Sequence, residues 1–182
     1  MRALAVLALI WALVWLLSRR ASAQTTAAAN ATAGAGAGTP NTSGQSPSLI
    51  ADIQAVAIAN GVPPAILYGI AATEQGTPES AQWNPQAVNL SDPYGGAWGL
   101  TQVLAGTASE LGYQVPQELF DPVAALTATA MYLRKYSSNV DNFAEDAQLY
   151  NAGPNATFVD TAYINKVLAY ASAWPTIQGA AA

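Results

Sequence analysis

Carboxylates carry whatever proton chemistry this sequence can perform. Its 182 residues include no histidine and no cysteine. That excludes Ser-His-Asp hydrolysis, His-ligated zinc, thiol peptidases, CxxC redox chemistry and disulfides. Among the eleven acids, Glu74 stands out by its place at the end of residues 62–76, VPPAILYGIAATEQG. Ile66, Ile70, Thr73 and Glu74 fall at i, i+4, i+7 and i+8, with Leu67 beside them, so the carboxylate continues the apolar stripe of a helix. A buried carboxylate is costly unless it has a partner or a use. From this stretch alone, Glu74 is either a group for proton transfer or a helix-end glutamate tipping into solvent.

The neighbouring elements have to position that acid. Pro63 and Pro64 suit a first helical turn, where a missing N–H costs nothing. Upstream, residues 48–61 place Leu49, Ile53, Val56 and Ala57 on one face, with Ser48 as the expected N-cap and Gly61 as the stop. Residues 76–99 are loop-rich yet hold Trp83, Tyr94 and Trp98, and a loop of that length with tryptophans is expected to be functional. The apolar pattern returns over 99–112. Asp121 and Pro122 then open a helix over 122–136 with Leu126, Ala130 and Leu133 inward and basic residues near its end. A shorter helix over 141–150 is broken by Asn151-Ala152-Gly153-Pro154, and a last one over 163–174 is ended by Pro175. Six helical segments predict an all-α domain over 48–176, with at most a small hairpin in the 88–103 loop and a tail at 177–182.

The N-terminus has a different texture. Residues 3–17 are an unbroken apolar run after Met-Arg. As a helix that run reaches about 22 Å, short of a hydrocarbon core of about 30 Å. It fits a signal peptide ending at Ala21-Ser22-Ala23, whereas Arg19 and Arg20 favour a retained membrane anchor. Both readings of 1–23 stay open. Residues 24–47 are Ala, Thr, Gly, Ser, Asn, Gln and Pro without charge or aromatics, the composition of a flexible linker. Beyond residue 23 only Arg134, Lys135 and Lys166 oppose the eleven acids, which argues against a nucleic-acid partner.

A series of short motifs in the domain resembles the soluble-type (SLT) lytic transglycosylases, within the α+β lysozyme-like superfamily. It runs Glu74-Gln75-Gly76, Asn84-Pro85-Gln86-Ala87-Val88-Asn89, Gly99-Leu100-Thr101-Gln102-Val103 and Thr107-Ala108. It continues through Leu119-Phe120-Asp121-Pro122, Tyr132-Leu133, Tyr150-Asn151-Ala152-Gly153-Pro154 and Tyr163-Ile164-Asn165-Lys166-Val167. Each piece alone is weak, but their order and spacing cover about residues 49–174. Three departures stand out. Gln75 replaces the serine after the catalytic glutamate, and Thr101 replaces a methionine. The gap from Glu74 to Asn84 is about five residues longer than the family's. That gap makes Glu79-Ser80 a rival for the catalytic position, although Glu79 follows a proline in a polar loop.

The resemblance implies cleavage of the β-1,4 bond between N-acetylmuramic acid and N-acetylglucosamine in peptidoglycan strands. One glutamate, Glu74, serves as acid and then base, leaving a 1,6-anhydro end. It further implies that Gln102 bonds the sugar or its acetamido group, and that Tyr150 orients Glu74 or that group. Asn151 fixes a turn or touches substrate, and Tyr163 lines the cleft near Glu74 or simply packs. Trp98, with Trp83 and Tyr94, is a candidate for stacking on sugars. Asp92 is expected to form a turn before Pro93; facing Glu74, it would instead make the enzyme a hydrolase. No metal or cofactor is implied. A lysozyme-type muramidase and a non-catalytic wall-binding or virion module remain alternatives. The expected location is exported, periplasmic or membrane-anchored toward the cell wall, or else in a phage virion.

Overall fold

The computed structural model describes residues 46–92 and 95–174. The apolar run at 3–17, the linker up to residue 45, Pro93, Tyr94, Pro175 and the tail lie outside the described residues. Among those described, no helix is long and apolar enough to cross a membrane.

Helix α1, Pro47–Asn60, turns Ile50, Ile53, Val56 and Ala57 inward and ends at Gly61, which is left-handed with φ 64°. The cap position falls on Ser46 rather than the expected Ser48, because Pro47 already occupies the first turn. Ser46 uses its backbone N–H on Ser80 Oγ at 2.6 Å, tying the helix start to a distant loop. Helix α2, Pro64–Gln75, is buried on every side: each residue from Ile66 to Thr73 is inaccessible or nearly so. A helix apolar all round belongs at the centre of a fold, and α2 touches four others. These are α1; α4, Pro122–Tyr136; α5, Phe143–Ala152; and α6, Thr161–Ala171.

Local signals set the helix ends. Asp121 Oδ1 accepts from the Val123 N–H at 2.9 Å and Pro122 sits in the first turn of α4, as the sequence predicts. The start of α5 is capped by Asn142 and that of α6 by Asp160, whose Oδ1 accepts from the Tyr163 N–H at 3.0 Å. Both helices therefore begin two residues away from their expected starts, because an Asx cap outranks the apolar periodicity.

The chain between α2 and α4 builds the other wall of the domain. A 3₁₀ turn at Ser80–Gln82 is followed by β1, Val88–Asn89; β2, Ala97–Trp98; and β3, Val103–Leu104. They form an antiparallel sheet in the order β1-β2-β3, with Val88 opposite Trp98 and Trp98 opposite Val103. The small hairpin expected in this loop thus gains a third strand. Short helix α3, Ala105–Glu110, and a 3₁₀ turn at Glu118–Phe120 complete the path. The fold is the helical lysozyme-like one that the sequence predicts.

Helices α2 and α6 meet at Gly69. A Cβ built there lies 2.7 Å from the Val167 carbonyl oxygen and 3.1 Å from the Ala171 Cβ. Gly69→Ala should therefore push the two helices apart and cost about 1–3 kcal/mol. Gly106 in α3 has nothing within 4 Å of such a Cβ. Gly106→Ala should stabilise by about 0.5–1 kcal/mol through helix propensity alone. Urea unfolding of both variants checks the pair, and a Gly69→Ala as stable as wild type would contradict this packing.

Candidate active site

Glu74 occupies the last turn of α2, where the buried column of that helix reaches a cleft of about 550 Å³. Its side chain is largely withdrawn from water. Burial is the largest influence on it and pushes its pKa up to about 7, against the opposing effects of a Tyr163 hydrogen bond and the Lys166 charge. Tyr163 OH donates to Glu74 Oε1 at 2.6 Å. Tyr163 and Lys166 are three apart on α6 and so share a face. Lys166 Nζ donates to the Thr73 carbonyl at 3.4 Å, beside the acid rather than on it. The Tyr163 hydroxyl is itself held neutral, its pKa raised by burial first and then by the Glu74 charge.

The position of Tyr163 is fixed from below. Asn151 Nδ2 donates to Asp160 Oδ2 at 3.1 Å, while Asp160 Oδ1 caps the Tyr163 N–H. Asn151 also lines the cleft, so it holds a turn and faces the ligand space at once. Tyr150, one residue earlier, makes no direct bond to Glu74. Its hydroxyl donates to the Thr101 carbonyl at 2.8 Å and meets Thr129 Oγ1 at 3.2 Å. That proton is committed to backbone, so Tyr163 and not Tyr150 bonds Glu74. Thr129 and Thr101 are both buried, 2.9 Å apart, and both donor-linked to the Ala125 carbonyl. The Tyr150 pKa is raised by burial and then by the Glu74 charge, which places that ring within the acid's field.

Gln102 lies on the cleft wall with a left-handed backbone, φ 53°, the one non-glycine so placed among the described residues. Backbone strain of this kind persists where surrounding contacts over-determine it. Here the side-chain Nε2 donates to the Gly99 carbonyl at 2.9 Å and the Ala87 carbonyl at 3.2 Å. Its amide hydrogens thus hold the turn, and Oε1 is the atom it can offer to a ligand.

The remaining candidates separate. Trp98 is not on the cleft wall: its ring lies 6.4 Å from that of Phe120, and it packs against the small cluster around Val103 and Leu119. Trp83 belongs to the core, 5.6 Å from the Tyr68 ring, with Nε1 donating to the Thr77 carbonyl at 2.9 Å. Glu79 sits in the loop outside the cleft, its Oε2 bonded by Gln82 Nε2. Asp92, expected as a turn residue, lies on the cleft wall with Glu74. Asn89, Glu110, Tyr132 and Tyr136 also line the cleft, and none of them is singled out by the sequence as a site residue. The i, i+4 spacing of the two tyrosines on one helix face was the available signal.

The loop between Glu74 and Asn84 is tied down at several points. Gln75 bridges it, with Oε1 accepting from the Asn84 N–H and Nε2 donating to the Leu100 carbonyl, both at 2.8 Å. Tyr68 OH donates to the Pro78 carbonyl from inside the core. These bonds leave Glu74 on the helix and carry the extra residues, with Glu79, away from it.

No curated protein and no solved structure matches the chain. The family model described as the transglycosylase SLT domain matches residues 52–167, more than half of the sequence, from within α1 to within α6. The chain belongs to the transglycosylase SLT domain family, whose domains act on peptidoglycan.

Proposed function

We propose that this protein is a peptidoglycan lytic transglycosylase with Glu74 as its single acid and base. One observation carries the reading: a carboxyl group at a buried helix end, opening on a cleft, with its pKa pushed up to about 7. Such a group is protonated and deprotonated with nearly equal ease at neutral pH, the condition for serving both roles. The protonated Glu74 gives its proton to the glycosidic oxygen as the C1–O bond of the muramic acid breaks. The substrate's acetamido group stabilises C1 meanwhile. The carboxylate left behind takes the proton of the muramic acid C6 hydroxyl, whose oxygen bonds to C1. The result is a 1,6-anhydro end, a free 4-hydroxyl on the departing sugar and a reprotonated Glu74, with no water consumed. Tyr163 supports the anionic stage by donating to Oε1, and Gln102, Tyr150 and Asn151 shape the walls.

A second reading has one observation in its favour. Asp92 shares the cleft wall with Glu74, and paired carboxylates are the usual equipment of a hydrolase. The lysozyme-type alternative would have Asp92 activate a water and leave reducing ends. The basic start, apolar run and uncharged stretch of residues 1–47 support export or tethering toward the wall, in a bacterium or on a virion.

Digestion of purified peptidoglycan followed by mass spectrometry tests the chemistry. Wild type and Glu79→Gln should both release anhydro-muropeptides, and Glu74→Gln should release none, a loss of at least about 10³-fold for removal of the sole acid and base. Reducing-end products would sink the transglycosylase reading in favour of Asp92 and water. A wild type without any product would mean a non-catalytic module.

The titration of Glu74 has two further consequences. kcat/KM should fall as pH rises through about 7, because the first step needs the protonated acid. Tyr163→Phe removes a bond to the charged form, worth about 1.5–3 kcal/mol, and should move that limb upward by about 1–2 pH units. Stability carries the matching sign. A folded pKa near 7 against an ordinary glutamate value of 4.5 means that folding favours the protonated form. Wild type should therefore lose stability relative to Glu74→Gln as pH rises from about 4.5 to about 7, with the difference constant above. Thermal unfolding of the two proteins across that range measures it, and parallel curves would show that Glu74 is not desolvated.

A further inference from the structure

The cleft wall continues past the acid. From Tyr150 it passes to Tyr132, whose ring meets Tyr150 edge-to-face at 5.9 Å, and then to Tyr136, whose ring lies 5.0 Å from Tyr132. Next to Tyr136 stands Glu110, the last residue of α3 and also a wall residue. Glu110 Oε1 accepts from both Lys135 Nζ and Tyr136 OH. Its Oε2 has no partner among the described residues.

A purely structural account of this group is weak. Glu110 and Lys135 are 42% and 45% exposed, and ion pairs so exposed contribute little to stability. A carboxylate at a helix C-terminus also opposes the helix dipole. Sugar stacking does not explain it either. Stacking needs an open aromatic face, and Tyr136 already has Tyr132 beside its ring and the Lys135 ammonium over it at 5.2 Å. What the group offers is a pair of opposite charges at the edge of a ligand cleft. With each muramic acid lactyl carboxyl taken up in the amide to its stem, the N-acetylated glycan strand itself is uncharged. The charges of peptidoglycan lie in its peptide stems, which carry carboxylates and, where a diamino residue is not cross-linked, a free ammonium group.

We propose that Glu110 and Lys135 form a subsite for the peptide stem, taking a stem ammonium on Glu110 Oε2 and a stem carboxylate on Lys135. Tyr136 holds Glu110 in place for that contact. The inference rests on peptidoglycan as the substrate and on the Glu74 cleft as its seat, and is independent of whether the product end is anhydro or reducing. It makes the protein a reader of how the strand is decorated as well as of the strand itself: peptide-bearing and uncross-linked stretches are preferred over strands already stripped of their stems.

The test uses the full chain carrying Glu74→Gln, so that bound glycan is not cut. Isothermal titration compares a tetrasaccharide of the glycan bearing diamino-acid stems with the same tetrasaccharide whose lactyl carboxyls are capped as simple amides. The stem-bearing ligand should bind roughly fivefold tighter, the equivalent of about 1 kcal/mol. Adding Glu110→Gln with Lys135→Met should erase that difference between the two ligands. Glu110→Gln alone, nearly isosteric on an exposed side chain, should reduce it while leaving the unfolding temperature in place. Equal binding of the two ligands by the parent protein overturns the proposal, and so does a preference that persists when both charges are gone. Failure of the anhydro-product reading shows in the digests and leaves this titration unaffected.

Discussion

The arrangement depends on desolvation at one end of one helix. Helix α2 is buried on every side over Ile66–Thr73, and Glu74 is simply the next residue. A carboxylate in that place resists ionisation because little water is at hand to solvate its charge. The protein answers with a single neutral donor, Tyr163, and with a cation kept one step back: Lys166 bonds the Thr73 carbonyl and acts on Glu74 only through its field. A direct ion pair would have held Glu74 ionised and removed its use as an acid. Burial wins over both opposing influences, so the group stays near neutrality in its titration rather than far below.

The same constraint explains two residues that depart from the family pattern. Additional chain between Glu74 and Asn84 threatens to pull the helix end open. Gln75 spans the base of that loop, reaching Asn84 on one side and Leu100 on the other. A serine side chain is too short to make both bonds. Thr101 brings a hydroxyl into the core in place of a thioether, a costly change without a partner. Its partners are the Ala125 carbonyl and Thr129, and Tyr150 closes the group through the Thr101 carbonyl and Thr129 Oγ1. The buried polar atoms are satisfied among themselves, and the result is a fixed Tyr150 ring on the cleft wall.

Helices and their order were legible because their signals are local. The Pro63-Pro64 start, the Gly61 stop and the Asp121 cap each depend on a few neighbouring residues. Where two local signals competed the boundary moved: at α1 Pro47 took the first turn and shifted the start from Ser48 to Ser46, and at α6 the Asp160 cap overrode the periodicity that pointed to Tyr163. The acid itself was legible because histidine and cysteine are missing and Glu74 continues an apolar stripe. Its surroundings were less so. That Tyr163 rather than Tyr150 bonds Glu74 depends on the path of the loop between α5 and α6, and Trp98 turning to Phe120 depends on the twist of a sheet only two residues wide per strand. Glu110 and Tyr136 come together from separate helices, so no spacing within one element announces their contact.

Position thus outweighs residue type in this domain. Eleven acids are present, and several lie in or near the cleft, yet they differ in how much water they keep. Glu79 is bonded by Gln82 in an outer loop, Glu110 carries two donors on one oxygen at an exposed edge, and Glu74 ends a sealed helix with one neutral donor. Only the last combines access to the cleft with a strong bias against its own charge. Moving the acid one turn inward would bury it beyond reach of substrate, and moving it one turn outward would return it to water and to the ordinary carboxylate range. The helix end is the one location where both conditions hold, which is why the length of α2, set by Pro64 at its start and Gly76 at its stop, decides where chemistry can occur.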